Sequence, residues 1–212
     1  MKPIIGYYGY WVYLTYMSLI SAVIGIFFAF EGNIGVALIC LMISGICDTF
    51  DGKVASFKER NAREIGYGIQ LDALADITAF GVLPVAIGFA IGQSYGSFGV
   101  ISIIIFSLYV LAALIRLAYF TVIEIELEGK HEKRTYYEGL PVTIVALIIP
   151  LVYSLCYMFN LPLYTVYNVL IFILACAFVM KVKIHKPQGR FKVVLCLICV
   201  PILIYILVSG VI

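Results

Sequence analysis

The chain has 212 residues, of which 64% are hydrophobic and only 12% charged, with a mean hydropathy of +1.10. That composition excludes an ordinary soluble domain and places the chain in a bilayer. The net charge of +2 comes with no basic tail or patch suited to nucleic acid, so the information lies in where the charges fall.

A membrane span needs about 20 mostly apolar residues. Hydropathy punctuated by turn residues predicts seven such helices, at about 8–30, 33–57, 64–92, 98–124, 139–159, 162–182 and 190–211. The expected fold is an all-α, polytopic transmembrane bundle of about seven spans, within bounds of six to eight. It forms a single domain over 1–212, with its active core at about 33–124. The first apolar run, from about Tyr10 to Phe30, is span-length and has no small-residue cleavage site, so it reads as a span rather than a signal peptide. Tyr7, Tyr8, Tyr10 and Trp11 at its start read as an interfacial aromatic belt.

The connections fall into two kinds. Glu31-Gly32-Asn33, Gly92 to Ser97, and Asn160-Leu161-Pro162 contain no lysine or arginine. Lys53, Lys58, Arg60 and Arg63 lie between spans two and three, and Lys130, Lys133 and Arg134 between four and five. Lys181, Lys183, Lys186, Arg190 and Lys192 lie between six and seven, and Lys2 precedes the first span. All of these cations fall on one side of a seven-span topology, and the positive-inside rule makes that side cytoplasmic. The expectation is a multi-pass protein of the cell membrane, amino terminus inside and carboxyl terminus outside. The basic connection from Lys181 to Lys192 suits contact with anionic headgroups. All six cysteines sit in apolar runs, where a thiol packs as a small hydrophobe, and the Cys196-x-x-Cys199 pair reads the same way. His131 and His185 fall in charged loops and read as solvated.

Most acidic residues, such as Glu59, Glu64 and the run Glu124, Glu126, Glu128 and Glu132, belong with the charged connections. Asp48, Asp51, Asp72 and Asp76 do not, because they lie within the apolar stretches LICLMISGICDTFDG and IQLDALADITAFG. Ionisable groups inside a span are costly and point to function. Asp48 and Asp51 are spaced i,i+3, and Asp72 and Asp76 i,i+4, so each pair shares one helix face. Consecutive antiparallel spans can turn those faces toward each other. At about 1.5 Å per residue, Asp76 lies roughly 12 Å along its helix from Gly68, implying a cleft open to the cytoplasm. Four facing carboxylates repel strongly unless a cation neutralises them. An all-oxygen set without His or Cys favours Mg²⁺, Mn²⁺ or Ca²⁺ over zinc, and paired hard cations suit phosphate chemistry. Gly52, Ala55 and Gly68 flank the acids and leave backbone open to a base or a phosphate, although small residues in a membrane helix also serve close packing.

The stretch Asp48-Thr-Phe-Asp51-Gly52-Lys-Val-Ala55, followed by Gly68-x-x-x-Asp72-x-x-x-Asp76, resembles the signature of the CDP-alcohol phosphotransferases, D-x-x-D-G-x-x-A-R then G-x-x-x-D-x-x-x-D. Phe80-Gly81-Val82-Leu83-Pro84, Arg116-Leu117-Ala118-Tyr119-Phe120 and Tyr137-Glu138-Gly139-Leu140-Pro141 resemble the phosphatidylserine synthase branch. Together these cover about residues 15–145. The chain departs from the pattern at Ser56, where the family has arginine, and in the stretch from Ser56 to Gly68, which is three residues longer. Lys53, Arg60 and Arg63 are the cations that can supply the missing charge to a phosphate. Tyr119 is a further departure, since relatives often carry a second arginine there.

The resemblance implies that an alcohol attacks the lipid-linked phosphate of CDP-diacylglycerol or CDP-archaeol and that CMP leaves. In the serine branch the acceptor is L-serine. It further implies that Asp48, Asp51, Asp72 and Asp76 hold two divalent ions and that Asp76 also takes the hydroxyl proton. Asp48, Asp51, Gly52, Ala55, Ser56, Gly68 and Asp72 would line the nucleotide site, and the protein would be a homodimer. Arg116, the one cation buried in a span rather than at its edge, is the candidate partner for the serine carboxylate or an adjacent phosphate; pairing with one of the aspartates is the structural alternative. Glycerol phosphate or an inositol phosphate as acceptor would call for a more basic pocket. A divalent-cation transporter would call for polar groups across the full membrane thickness.

Overall fold

The computed structural model describes residues 5–55, 61–130, 136–181, 183–185 and 201. A short 3₁₀ turn, Tyr10–Val12, leads into α1 (Tyr13–Phe30), and α2 (Ile34–Ala55) returns after a turn at Gly32. The third predicted span is one continuous rod made of α3 (Ala62–Asp76), a π-helical stretch (Ile77–Val82) and α4 (Leu83–Ser94). Then come α5 (Val100–Lys130), α6 (Val145–Met158) and α7 (Leu163–Val179). Helices from Tyr10 to Phe30, Ile34 to Val54, Ala62 to Ser94 and Val100 to Leu127 are long and apolar enough to cross a membrane, while Val142–Met158 and Leu163–Val179 are shorter apolar helices. The protein is thus an integral membrane helix bundle, and six of the seven predicted spans are matched by helices at the expected places. Apart from residue 201, the predicted span at 190–211 lies outside the described residues, as do the Cys196-x-x-Cys199 pair and His131.

With lipid tails as apolar as leucine, helices in a bilayer associate through close packing and interhelical hydrogen bonds. The α1 sequence is suited to this because its buried stripe is small, consisting of Ser18, Ser21, Ala22, Gly25 and Ala29 at helical spacing. Against this stripe lies α2. Ser21 Oγ donates to the Cys40 carbonyl at 2.9 Å, and Ser18 and Ser44 each donate to the other's carbonyl, at 3.3 and 2.9 Å. The outward residues of α1 and α5, including Phe27, Ile101 and Leu114, are exposed apolar side chains suited to lipid.

The irregular third span is held from two sides. Pro84 has no amide hydrogen to return to the carbonyl of Phe80, one turn earlier. The hydroxyl of Tyr109 on α5, fully buried, donates to that carbonyl at 2.6 Å. From α7, the hydroxyl of Tyr167 donates to the Pro84 carbonyl at 2.6 Å. Tyr167 reaches it because Gly88 has no side chain; a Cβ there would stand 2.7 Å from the tyrosine ring and 2.6 Å from Phe106. The polar tips of two buried aromatics therefore fix the helix just beyond Asp76.

A two-stranded antiparallel ribbon, β1 (Tyr136–Glu138) with β2 (Lys183–His185), adds to an otherwise helical fold. Tyr137 faces Ile184 in its register, which joins the connection after α5 to the segment after α7 at one end of the bundle. Neither the ribbon nor the π-helical stretch is foreseen by hydropathy, which reads only the apolar content of each segment.

Tyr109→Phe removes the donor to Phe80 and should lower stability by about 1 kcal/mol, the scale of one interhelical hydrogen bond in a membrane protein. Thermal unfolding of the detergent-solubilised protein checks this, with an unchanged midpoint as the contrary result.

Candidate active site

Local sequence sets where the two acidic helix segments begin and end. Asn61 caps α3: its side chain accepts from the Glu64 amide at 2.9 Å, while the Glu64 carboxylate accepts from the Asn61 amide at 3.1 Å. This reciprocal capping box fixes the first turn of α3 and hence the register of Asp72 and Asp76. Glu64 is therefore a helix-starting residue rather than a simple loop charge. The Asn-x-x-Glu spacing was the signal for it. On the other rod, α2 runs unbroken through Asp48 and Asp51 to Ala55.

The two helices bring the acids together. One carboxylate oxygen from each of Asp48, Asp72 and Asp76 lies within 4.8 Å of the others. Asp51 adjoins this triad, its side chain within hydrogen-bonding reach of Asp72 and of the Thr15 hydroxyl on α1. Burial deepens along the rod as helical spacing predicts: Asp72 is half-buried and Asp76 is only 7% exposed, at the point where regular helix gives way to the π-helical turn. Such π turns recur at functional sites because the extra residue re-aims neighbouring side chains.

Oxygen-only donors from two helices at this separation fit a hard divalent cation, and among the described residues this is the one cluster of metal-ligating side chains. Mutual repulsion gives the arrangement a strong affinity for positive charge. Asp48, Asp72 and Asp76 are the residues that would hold such an ion, three of the four predicted ligands. Asp51 stands beside them rather than within the triad.

The other predicted residues distribute around this centre. Gly52 is exposed and a Cβ there would meet nothing within 4 Å, so helix packing does not require the glycine and its backbone is open to a ligand. Ala55 ends α2, and Gly68 is half-buried one turn before Asp72. Lys53 and Arg63 are exposed; Ser56 and Arg60 lie outside the described residues. Arg116 is buried at 6% exposure on α5, its guanidinium 4.5 Å from the Phe120 ring centroid and its Nη1 donating to the Phe178 carbonyl at 3.4 Å.

Three neighbours were missed or misplaced by sequence reasoning. Thr15, a buried hydroxyl in an apolar span, was legible as an oddity. Glu124 sits on an exposed turn of α5, close enough to Asp72 to interact with it electrostatically, and nothing in its spacing pointed there. Trp11 is buried rather than at a lipid interface, and with Tyr7 it packs on the ring of Tyr67, at centroid distances of 6.5 and 5.5 Å, one residue before Gly68. Tyr8 and Tyr10 are exposed, as an interfacial belt requires.

The family model for CDP-alcohol phosphatidyltransferases matches residues 12–181, the whole stretch from α1 to the end of α7. The chain belongs to the CDP-alcohol phosphatidyltransferase family. It is 39% identical over 116 residues to a CDP-diacylglycerol–serine O-phosphatidyltransferase of Saccharomyces cerevisiae, covering 53% of this chain and 40% of the yeast protein. It is 30% identical over 129 residues to an archaetidylserine synthase of Methanothermobacter thermautotrophicus, covering 61% of this chain and 51% of that one. A Helicobacter pylori CDP-diacylglycerol–serine O-phosphatidyltransferase is 34% identical over 101 residues, covering 47% and 40%. The similar stretch thus spans about half or less of each relative's length. Two of these relatives are thus named for O-phosphatidyl transfer to serine and one as an archaetidylserine synthase.

Asp72→Asn removes a carboxylate shared by the triad and by Asp51. It should weaken Mn²⁺ binding by about tenfold or more, the scale of one lost charge-assisted contact. Titration of the purified protein followed by electron paramagnetic resonance of free Mn²⁺ reads this directly, and equal affinity would place the ion elsewhere.

Proposed function

We propose that this protein transfers a phosphatidyl or archaetidyl group from a CDP-lipid to the hydroxyl of L-serine, releasing CMP. The observation that carries this reading is the carboxylate triad of Asp48, Asp72 and Asp76 in a family whose similar members are named for serine transfer. Mg²⁺ or Mn²⁺, two ions in the full complex, would be held by Asp48, Asp51, Asp72 and Asp76 and supply neutralisation of the diphosphate and of the charge growing on departing CMP.

The chain's own residues do the rest. Gly52, Ala55 and Gly68, with Ser56, line the approach of the nucleotide, and exposed Lys53 and Arg63, with Arg60, offer cations to its phosphates. The serine Oγ attacks the lipid-linked phosphorus, the bond from that phosphorus to the bridging oxygen breaks, and CMP takes the electron pair. Asp76 receives the hydroxyl proton, because a neutral alcohol is a poor nucleophile and this is the deepest carboxylate on the rod. Arg116 pairs with the serine carboxylate. The active site faces the cytoplasm, where the lysine-rich connections lie, and the protein works as a homodimer in the cell membrane.

The reading is tested by incubating purified protein with CDP-diacylglycerol or CDP-archaeol, a divalent cation and separately serine, glycerol phosphate or inositol phosphate. CMP release with serine is expected. Release only with a phosphorylated acceptor would move the assignment to another alcohol, and no release with any would refute it. Asp76→Asn should keep CDP-lipid binding while losing turnover by roughly 10²-fold or more, the contribution of a general base. Full turnover in that variant would remove Asp76 from the proton-accepting role. Arg116→Lys should raise the serine KM about tenfold, since lysine has no planar fork for a carboxylate; an unchanged KM would refute the pairing.

A further inference from the structure

Arg116 lies against backbone as well as side chain. Its guanidinium stacks on Phe120 and donates to the carbonyl of Phe178, and beside it passes the backbone of Gly139. A Cβ on Gly139 would lie 2.5 Å from Arg116 Nη1 and 2.7 Å from the carbonyl oxygen of Met180, so both sides of the space are already filled. Gly139 also has φ +79°, a left-handed conformation that a side chain disfavours. The chain adopts it directly after β1, where the connection leaves the ribbon with β2 and turns toward Pro141 and α6. Two separate requirements, space and backbone conformation, thus converge on this glycine, next to the one buried cation described in the bundle.

We infer that Gly139 is the positioning residue for Arg116: its missing side chain lets the ribbon-bearing connection close over the guanidinium, which fixes the cation's place and thereby the affinity for the acceptor's carboxylate. The second half rests on the proposed pairing of Arg116 with serine; the first half does not. The β1–β2 ribbon gives the arrangement its stiffness, because it ties the Gly139 segment to the residues that follow α7, including Met180 on the far side of the same space. A carboxylate bound at Arg116 would therefore be met by a cation that the meeting of two connections, rather than α5 alone, holds in one orientation. An arginine free to rotate would lose entropy on every binding event.

The test uses the full-length protein in detergent or proteoliposomes, with Gly139→Ala and Gly139→Asn. Asparagine tolerates a positive φ yet still carries the Cβ, so it separates space from conformation and guards against an alanine variant that fails to fold. Two quantities are read. The first is protection of Arg116 from phenylglyoxal, mapped by mass spectrometry, and the second is the KM for serine against that for CDP-lipid. The inference predicts that both variants expose Arg116 to the reagent and raise the serine KM about tenfold, with the CDP-lipid KM changed less than about twofold. In an Arg116→Lys background the Gly139 substitutions should add little to the serine KM, as expected for residues acting through one interaction. Continued protection of Arg116 in both folded variants would overturn the positioning role. Protection in Gly139→Asn alone would also overturn it, by showing that conformation and not space is what matters. Exposure of Arg116 with an unchanged serine KM would uphold the positioning role and instead refute the pairing of Arg116 with serine.

Discussion

Carboxylates inside an apolar bundle are the constraint around which this protein is organised. Each one left alone would cost more than any local packing could return, and four brought together cost more still unless positive charge joins them. The fold answers by bringing all four together where α2 meets the third rod, graded from half-buried Asp72 to buried Asp76. A serine- and glycine-rich stripe on α1 holds α2, a capping box starts α3, and two buried tyrosines fix the rod beyond Asp76. Each device is a way of satisfying backbone or polar groups where water is absent, and each also limits where a carboxylate can point.

Division of labour follows along the membrane normal. Away from the acidic end, the bundle core is mostly aromatic and aliphatic, with Phe98, Phe106 and Tyr167 ring against ring, and its buried polar groups, such as the Ser102 hydroxyl 2.6 Å from that of Tyr164, carry no charge. Toward the acidic end lie Lys53, Arg63 and Lys181, the ribbon and buried Arg116. This polarity is compatible with the proposed reaction, in which a lipid-linked nucleotide would be met at the acidic end.

Much of this was legible in the sequence because the relevant signals are local. Hydropathy located α1, α2, the third rod, α5, α6 and α7, and i,i+3 and i,i+4 spacing put the aspartates on shared faces. The difference between Asp51 and the other three was not legible, since spacing gives a face but not which oxygens converge. Nor were Glu124 beside Asp72, the ribbon or the π-helical turn, all of which depend on partners distant in the chain. Pro84 leaves a carbonyl without its helical donor, and which tyrosine hydroxyls meet this stretch depends on the packing of α5 and α7. The Ser56 departure remains a matter of sequence alone, because that residue lies outside the described ones.

The central claim is that a serine oxygen becomes the new ester oxygen on the lipid phosphorus, with CMP as the leaving group. Serine labelled with ¹⁸O in its hydroxyl tests it most directly, using purified protein, CDP-lipid and Mn²⁺, with mass spectrometry of both products. The account predicts a serine phospholipid that retains the label and CMP that carries none. Label appearing in CMP, or a serine-free lipid phosphate released instead, would contradict it.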